Sequence, residues 1–564
     1  MTGCFKHARL RSSTSTRVLD LLPSEDFESQ LQCLIREVDL EGPDAAYEAV
    51  SYVWGSPVGE LPILCNEQEL LVTPNCRDAL LYLRQHSRTR TLWIDSICID
   101  QTTEEASTQE RNHQVRMMGR IYSKAQIVLI WLGVGDASTP SIFQAIESGA
   151  MDEKAAEKEE ALKKILSNPW FIRSWTIQEV VVSPDYAAVS EWAGINDPED
   201  LCSLEDFYSW ELELLASLRD GQCMKPHDKI YSMYSILKEL GICLESPDYD
   251  KPVIEVFEDT AIAYIRSRKR LGILTILPVL DETTGFPSWV PDWSTSRANT
   301  RELEVNLVFR NHSATYHATA KSEAIVSQPL TPGSLSLKGM LLGKIVQVEA
   351  PSLLRDPFER DQAVAKKRDF IRTYQHWCRV VDSLESYPTH DSLISAFASM
   401  LSSQGQTQEF PGMEDFLLWL WYETMLHPNR GHVTAEAATR EVDAGYAGYA
   451  GSADPGDFAY SIMYGNAHEN ESIAAKVRTV LLHLYEHHIT YTFLLLDTGY
   501  FGLGPNGTCW QGDDVYLLAG ASSPLALRPQ GDNFRLVGCA YVQGVMDGEL
   551  WPESEDGLEE VTLV

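Results

Sequence analysis

Positive charge is what this chain of 564 residues has least of: 46 Lys and Arg stand against 81 Asp and Glu, a formal net charge of −35. Such a field repels nucleic-acid phosphates and anionic lipid headgroups, which argues against nucleic-acid binding and polybasic membrane docking. Long apolar runs are missing as well. The best, Ile127 to Leu132, has the length of one buried strand and falls far short of the roughly 18 to 20 residues a spanning helix needs, so no membrane span is expected. The 11 cysteines include no C-x-x-C pair. Their odd number fits reduced thiols in a cytoplasmic protein better than a disulfide framework, and the sequons at Asn311, Asn470 and Asn506 then read as chance matches. A Walker A loop, a G-x-S-x-G elbow and an H-E-x-x-H helix are all absent, which leaves P-loop nucleotidases, α/β-hydrolases and zincins unsupported. Acid is absent before Asp20, where Lys6, Arg9, Arg11 and Arg17 stand among serines and threonines. Without an amphipathic stripe this segment reads as a flexible tail over 1–17 rather than a transit peptide.

What is present suits a folded chain. Hydrophobic residues make up 44% and aromatics 10%, and the length predicts about three to five structural units. The first half alternates strand and helix signals, the pattern of an α/β layer with a mostly parallel sheet. Ala49 to Trp54, Thr91 to Ile99 and Ala125 to Leu132 read as strands. Thr73-Pro74 starts a helix, Ser107 with Glu110 has capping-box spacing, and Asn168-Pro169 starts another helix. Glu159 and Glu160 pair with Lys163 and Lys164 on a solvated helix. Leu201 to Leu274 reads as helical, and the Pro/Trp-rich Phe286 to Trp293 marks a boundary. Beyond it come strands over Glu302 to Glu349, helices over Arg360 to Leu426, a glycine-rich mobile loop over Glu441 to Asp457, and short strands from Tyr491 to Val545.

Three constellations carry candidate chemistry. Gly502-x-Gly504-x-x-Gly507 matches the dinucleotide fingerprint letter for letter. A helix must follow for that function, and Val515 to Leu518 is strand-like, so the glycines read as a hairpin turn. His483 and His487, with Glu486 and His488 nearby, have metal-ligand spacing but no third ligand, so no metal is expected. In Trp93 to Gln101 an acid interrupts each row of an apolar strand, with Asp95 on one side and Asp100 on the other. In an open sheet Asp100, Gln101 and Trp54 would gather at the strand carboxyl ends, where ligands bind. A structural role for Asp95, capping a neighbouring helix or pairing with an arginine such as Arg116 or Arg120, fits equally. Helical phase from Asn168 places Phe171, Trp175 and Glu179 on one face, and a carboxylate on a buried face is rarely left unpaired.

At these residues the chain resembles the fungal heterokaryon-incompatibility (HET) domain family. The matching blocks are Tyr47-Glu-Ala-Val-Ser-Tyr-Val-Trp-Gly55, Trp93 to Gln101, Glu110 to Tyr122 with Trp131-Leu-Gly133, and Asn168 to Glu179. Asp228-Lys-Ile-Tyr231, Pro287 to Trp293 and the segments Thr498 to Gly504 and Val545 to Gly548 are similar to what accompanies the domain in full-length members, with His227 where an arginine is usual. The resemblance implies non-self recognition and regulated cell death, and a flavodoxin-like, TIR-like α/β fold. The implied layout is a HET domain over 18–195, a helical connector over 196–295 and a mixed α+β region over 296–564. TIR-like modules either assemble or hydrolyse NAD through a helical glutamate, and that carry-over lands on Glu179. The pocket around it would draw on Ser51, Tyr52, Trp54, Asp95, Asp100, Gln101, Arg173, Trp175 and Gln178. NAD is then a candidate substrate, with Arg111, Arg116, Arg120 and Arg173 as candidates to receive its phosphates, and no cofactor is required. Protein partners or self-association are the other implied activity, as is a C-terminal region that binds a partner and restrains the HET domain.

Overall fold

The computed structural model describes residues 5–135, 165–183, 204–276, 285–295, 316–327, 331–349, 376–402 and 491–564, a few single positions aside. The glycine-rich segment Glu441 to Asp457, the histidines 483, 487 and 488, and Glu159 and Glu160 of the charge pairs lie outside the described residues. The chain divides into two compact units, Met1–Cys202 with Ser217–Ala263, and Ser203–Ala216 with Tyr264–Val564.

The first unit is built on seven strands: β1 (Ser15–Leu21), β2 (Gln32–Asp39), β3 (Glu48–Tyr52), β4 (Leu61–Cys65), β5 (Gln68–Val72), β6 (Arg90–Trp93) and β7 (Val128–Trp131). They lie in the order β5-β4-β2-β1-β6-β3-β7. The sheet is mixed rather than mostly parallel. β6, β3 and β7 run parallel, as do β2 and β4. β1 runs antiparallel to both its neighbours, and β4 returns on β5 through a tight turn. Asn66 and Glu67 take positive φ of 50° and 63° there, and so short a turn can only join antiparallel strands. The segment read as a tail contributes Ser15 to Arg17 to the middle strand of this sheet. Arg17 is buried, because its guanidinium is bonded to both oxygens of Glu110 at 2.6 and 2.8 Å.

Helices cover the sheet. α1 (Pro74–Leu83) starts as its sequence predicts, with the Thr73 side chain accepting the Cys76 N–H at 3.3 Å. α2 (Asp95–Cys98) is one turn, and α3 (Glu105–Lys124) is the long helix of the unit. The capping box read at Ser107 and Glu110 is not used: α3 begins at Glu105, Ser107 donates to Asp100 at 2.8 Å, and Glu110 is taken by Arg17. α4 (Ser174–Val181), α6 (Asp228–Tyr231) and α7 (Tyr234–Glu239) complete the described part of this unit, while α5 (Leu204–Ser217) and α8 (Val253–Arg268) span the points where the chain changes unit. Helices dominate 204–274, as expected.

The second unit carries β8 (Leu335–Glu349), α9 (Leu393–Ser402), β9 (Tyr491–Leu496), β10 (Phe501–Pro505), β11 (Asp514–Leu518), β12 (Leu525–Gln530), β13 (Asn533–Cys539), β14 (Tyr541–Val542) and β15 (Glu559–Leu563). Its sheet runs β11-β12-β13-β15-β8-β9-β10-β14, and β8 also pairs with β11, so β8, β11, β12, β13 and β15 close a ring. Gly502 and Gly504 sit inside β10, where a Cβ would lie 2.0 Å from Tyr541 O and 2.8 Å from Cys509 Sγ. They serve close strand packing rather than a turn. A strand rather than a helix follows Gly507, which excludes the dinucleotide loop, but β10 pairs with β9 and β14 and not with β11, so the glycines do not form the expected hairpin turn. The Phe286 to Trp293 segment is core rather than boundary. Trp289 and Trp293 are fully buried, and the Trp293 indole donates to Leu215 O at 2.7 Å.

Candidate functional site

Strands β3 and β6 are parallel neighbours; β6 stops at Trp93, opposite Ala49, while β3 runs on to Tyr52, and the residues past their carboxyl ends meet. The predicted strand Thr91 to Ile99 stops at Trp93. The backbone then turns into α2, where Ile97 and Cys98 N–H return to Ile94 O at 3.0 and 2.7 Å. Asp95 stabilises that turn by accepting the Ser96 N–H at 2.7 Å, the placement an acid favours at a helix start. Its carboxylate also receives the Trp54 indole N–H, at 3.0 and 2.9 Å to its two oxygens. Tyr52 and Ser96 hydroxyls lie 2.6 Å apart beside them. Asp95 and Asp100 are therefore not alternate rows of one strand.

The segment carrying Glu179 is also broken. Asn168 accepts the Trp170 N–H at 2.9 Å and opens a 3-10 turn over Pro169–Ile172, but Arg173 is extended, with ψ 137°, before α4 restarts at Ser174. Phe171 thereby loses the phase it would share with Glu179 and is exposed. Glu179 itself is 1% exposed. One carboxylate oxygen accepts the Ser51 hydroxyl, which in turn accepts the Trp170 indole N–H at 2.7 Å. The other faces the Arg173 guanidinium at 3.8 Å, and Arg173 also donates to Tyr52 O.

Electrostatics follow from one guanidinium serving two acids. Burial raises the Asp95 pKa to about 6, Glu179 adds to the rise, and Arg173 opposes it. Burial lowers the Arg173 pKa, but Glu179 and then Asp95 outweigh it and the net shift is upward. Burial likewise pushes the Cys76 thiol, next to Ser96, up to about 12.

Ser51, Tyr52, Trp54, Asp95, Arg173 and Glu179 thus come together. Gln101 reaches only the backbone, donating to Asp95 O at 3.3 Å. Asp100 belongs to another cluster, with Ser107, Thr102 N–H at 3.0 Å and His7 at 3.8 Å. Burial raises its pKa, but these hydrogen bonds prevail and lower it. The Trp175 side chain bonds to Asp228 and Gln178 accepts from Ser235 N at 3.3 Å, so both serve the packing of α4. Of the four arginines offered for phosphates only Arg173 stands here. Arg116 caps back to Asn112 O, Arg120 pairs with Glu41, and Arg111 reaches Thr108. Trp170 and Ser96 were not foreseen; the Asn168-Pro169 cap, which fixes where Trp170 points, was the available signal. Among the described residues no group of His, Cys, Asp and Glu side chains could hold a metal ion, and no helix is long and apolar enough to cross a membrane.

A family model for heterokaryon incompatibility proteins (HET) matches residues 47–179, from the first residue of the Tyr47 block to Glu179 itself. A Het-6 β-barrel domain model matches 432–559. The chain is similar to HET-domain proteins. It is 25% identical to Heterokaryon incompatibility protein 6, OR allele, of Neurospora crassa, across 96% of this chain and 95% of that one. No solved structure matches it. The segment matched by the HET model contains the whole cluster around Glu179 but not β1 or β2, although β1 lies in the middle of the sheet. The barrel match likewise excludes β8 and reaches only the first residue of β15.

Proposed function

We propose that this protein acts in fungal non-self recognition and relays incompatibility to regulated cell death by association of its N-terminal module with a protein partner or a second copy. The likeness to a heterokaryon incompatibility protein along nearly the full length of both chains supports the setting. The observation that carries the choice of mechanism is the state of Glu179, 1% exposed and engaged by Ser51 and Arg173. A carboxylate that stabilises an oxocarbenium-like ribose must reach the anomeric carbon as charge develops. Glu179 instead acts as an internal tie between β3 and α4, and the site supplies one arginine for a dianionic dinucleotide. The reading is TIR-like in organisation, with association in place of NAD hydrolysis. Expressing wild type and Glu179→Gln in fungal cells while measuring NAD and growth separates the two mechanisms. Growth arrest with unchanged NAD in wild type is expected. NAD loss in wild type that disappears in Glu179→Gln would overturn the reading in favour of a glycohydrolase.

A further inference from the structure

Three fully buried side chains near the helix that carries Glu179 hold polar atoms with no hydrogen-bond partner among the described residues: the Tyr122 hydroxyl, the Gln178 amide nitrogen and the Ser232 hydroxyl, on residues that are each 0% exposed. They belong to one junction. Tyr122 comes from α3, Gln178 from α4, and Ser232 follows α6. α3 packs against α4 and α7, and α4 against α6. Gln178 accepts the Ser235 N–H through its amide oxygen. Gly119, a turn before Tyr122 on α3, approaches Ser235 so closely that a Cβ would lie 2.2 Å from its Oγ. Burial is the main reason the Tyr122 phenol titrates far above its usual range, and the Glu179 and Asp95 carboxylates add to it, so this hydroxyl sits within their field.

Left dry, each such atom is a liability, because a buried donor or acceptor without a partner forfeits its hydration. Native proteins leave few of them and commonly satisfy several with one internal water making about three hydrogen bonds. We propose that the α3–α4–α7 junction is an internal hydration site, in which ordered water accepts from the Gln178 amide and exchanges hydrogen bonds with Tyr122 and Ser232. Water fits where an ion does not. The three atoms are neutral, the neighbouring Glu179 disfavours an anion, and no group of His, Cys, Asp and Glu among the described residues could hold a metal cation. The site ties the helix that carries Glu179 to the two that pack on it, and it stands whether or not Glu179 is catalytic.

Two measurements on the full chain test this. In thermal melts Tyr122→Phe removes the hydroxyl at nearly constant volume. A hydrated hydroxyl makes the variant melt at a lower temperature, whereas a dry orphan makes it melt at an unchanged or higher one, which would overturn the proposal. A crystal structure that resolves waters is expected to show density within hydrogen-bond distance of at least two of the three atoms. A well-ordered junction without such density would equally overturn it.

Discussion

Arg173 faces more acid than one positive charge can neutralise: it faces Glu179 at 3.8 Å and stands within the field of Asp95 while also holding Tyr52 O. Replacing it by Met keeps the stem's bulk but leaves a buried carboxylate uncompensated, which typically costs about 3 kcal/mol or more. Urea unfolding should therefore show Arg173→Met destabilised by that order, and the double variant with Glu179→Gln recovering part of the loss. Equal stability of the two variants would mean that the pair is not coupled. Asp95 gives a pH signature. Its folded-state pKa of about 6 lies above an unfolded value of about 3.9, so the folded protein binds the proton more tightly. Its contribution to stability is greatest below the unfolded value, declines as pH rises from about 4 to about 6, and is gone above that. Asp95→Asn, which keeps one acceptor for Trp54, should lose less stability than wild type across that window. Parallel stability curves for the two proteins would refute the assignment.

Among the elements, the approach of α3 to α7 depends on Gly119. Alanine would add helix propensity of about 1 kcal/mol, but its methyl would meet Ser235 Oγ and Cβ at 2.2 and 2.4 Å. Overpacking of that kind costs about 1 to 3 kcal/mol, so Gly119→Ala should lower the melting temperature, and Gly119→Ala with Ser235→Gly should restore it. Elements with a local signature were legible beforehand. Thr73-Pro74 capped α1, the Asn168-Pro169 cap formed, and the strand after Gly507 excluded a dinucleotide loop. What failed depended on partners distant in sequence. Period-2 alternation carried β6 through Asp95 because nothing local reveals that Asp95 would stabilise a turn and accept from Trp54. Ser107 and Glu110 have capping-box spacing, yet Asp100 and Arg17 claim them. Glu179 was singled out by a helical phase that Arg173 interrupts, and its burial rests instead on Ser51, Trp170 and Arg173, only the last two of them nearby in sequence.

For the whole molecule, the chain's last strand is the most consequential feature that composition left unread, since seven acids and no base after Val542 suggest a solvated tail. β15 instead lies between β8 and β13, antiparallel to β8 from Glu559 to Leu563. Its acids point outward in an exposed pair, Glu559 and Glu560, while Val561 and Leu563 are 0% exposed. Val564 then fastens the end: its N–H donates to Phe534 O at 2.9 Å, and its carbonyl receives the Ser288 N–H at 3.0 Å. Deleting residues 559–564 removes two fully buried side chains, each worth about 1.5 to 3 kcal/mol, and opens the ring along β8, uncovering Leu335 and Leu337. A loss of about 4 kcal/mol or more is expected, large against the 5 to 15 kcal/mol that typically holds a domain folded. Limited chymotrypsin digestion of the full chain and the deletion variant should then reveal new cleavage at Tyr, Phe and Trp of the second unit, such as Tyr516 and Phe534. Val561→Asp, which retains the strand but buries a charge, should expose the same sites. If both variants are cut no faster than wild type, β15 does not hold the ring closed.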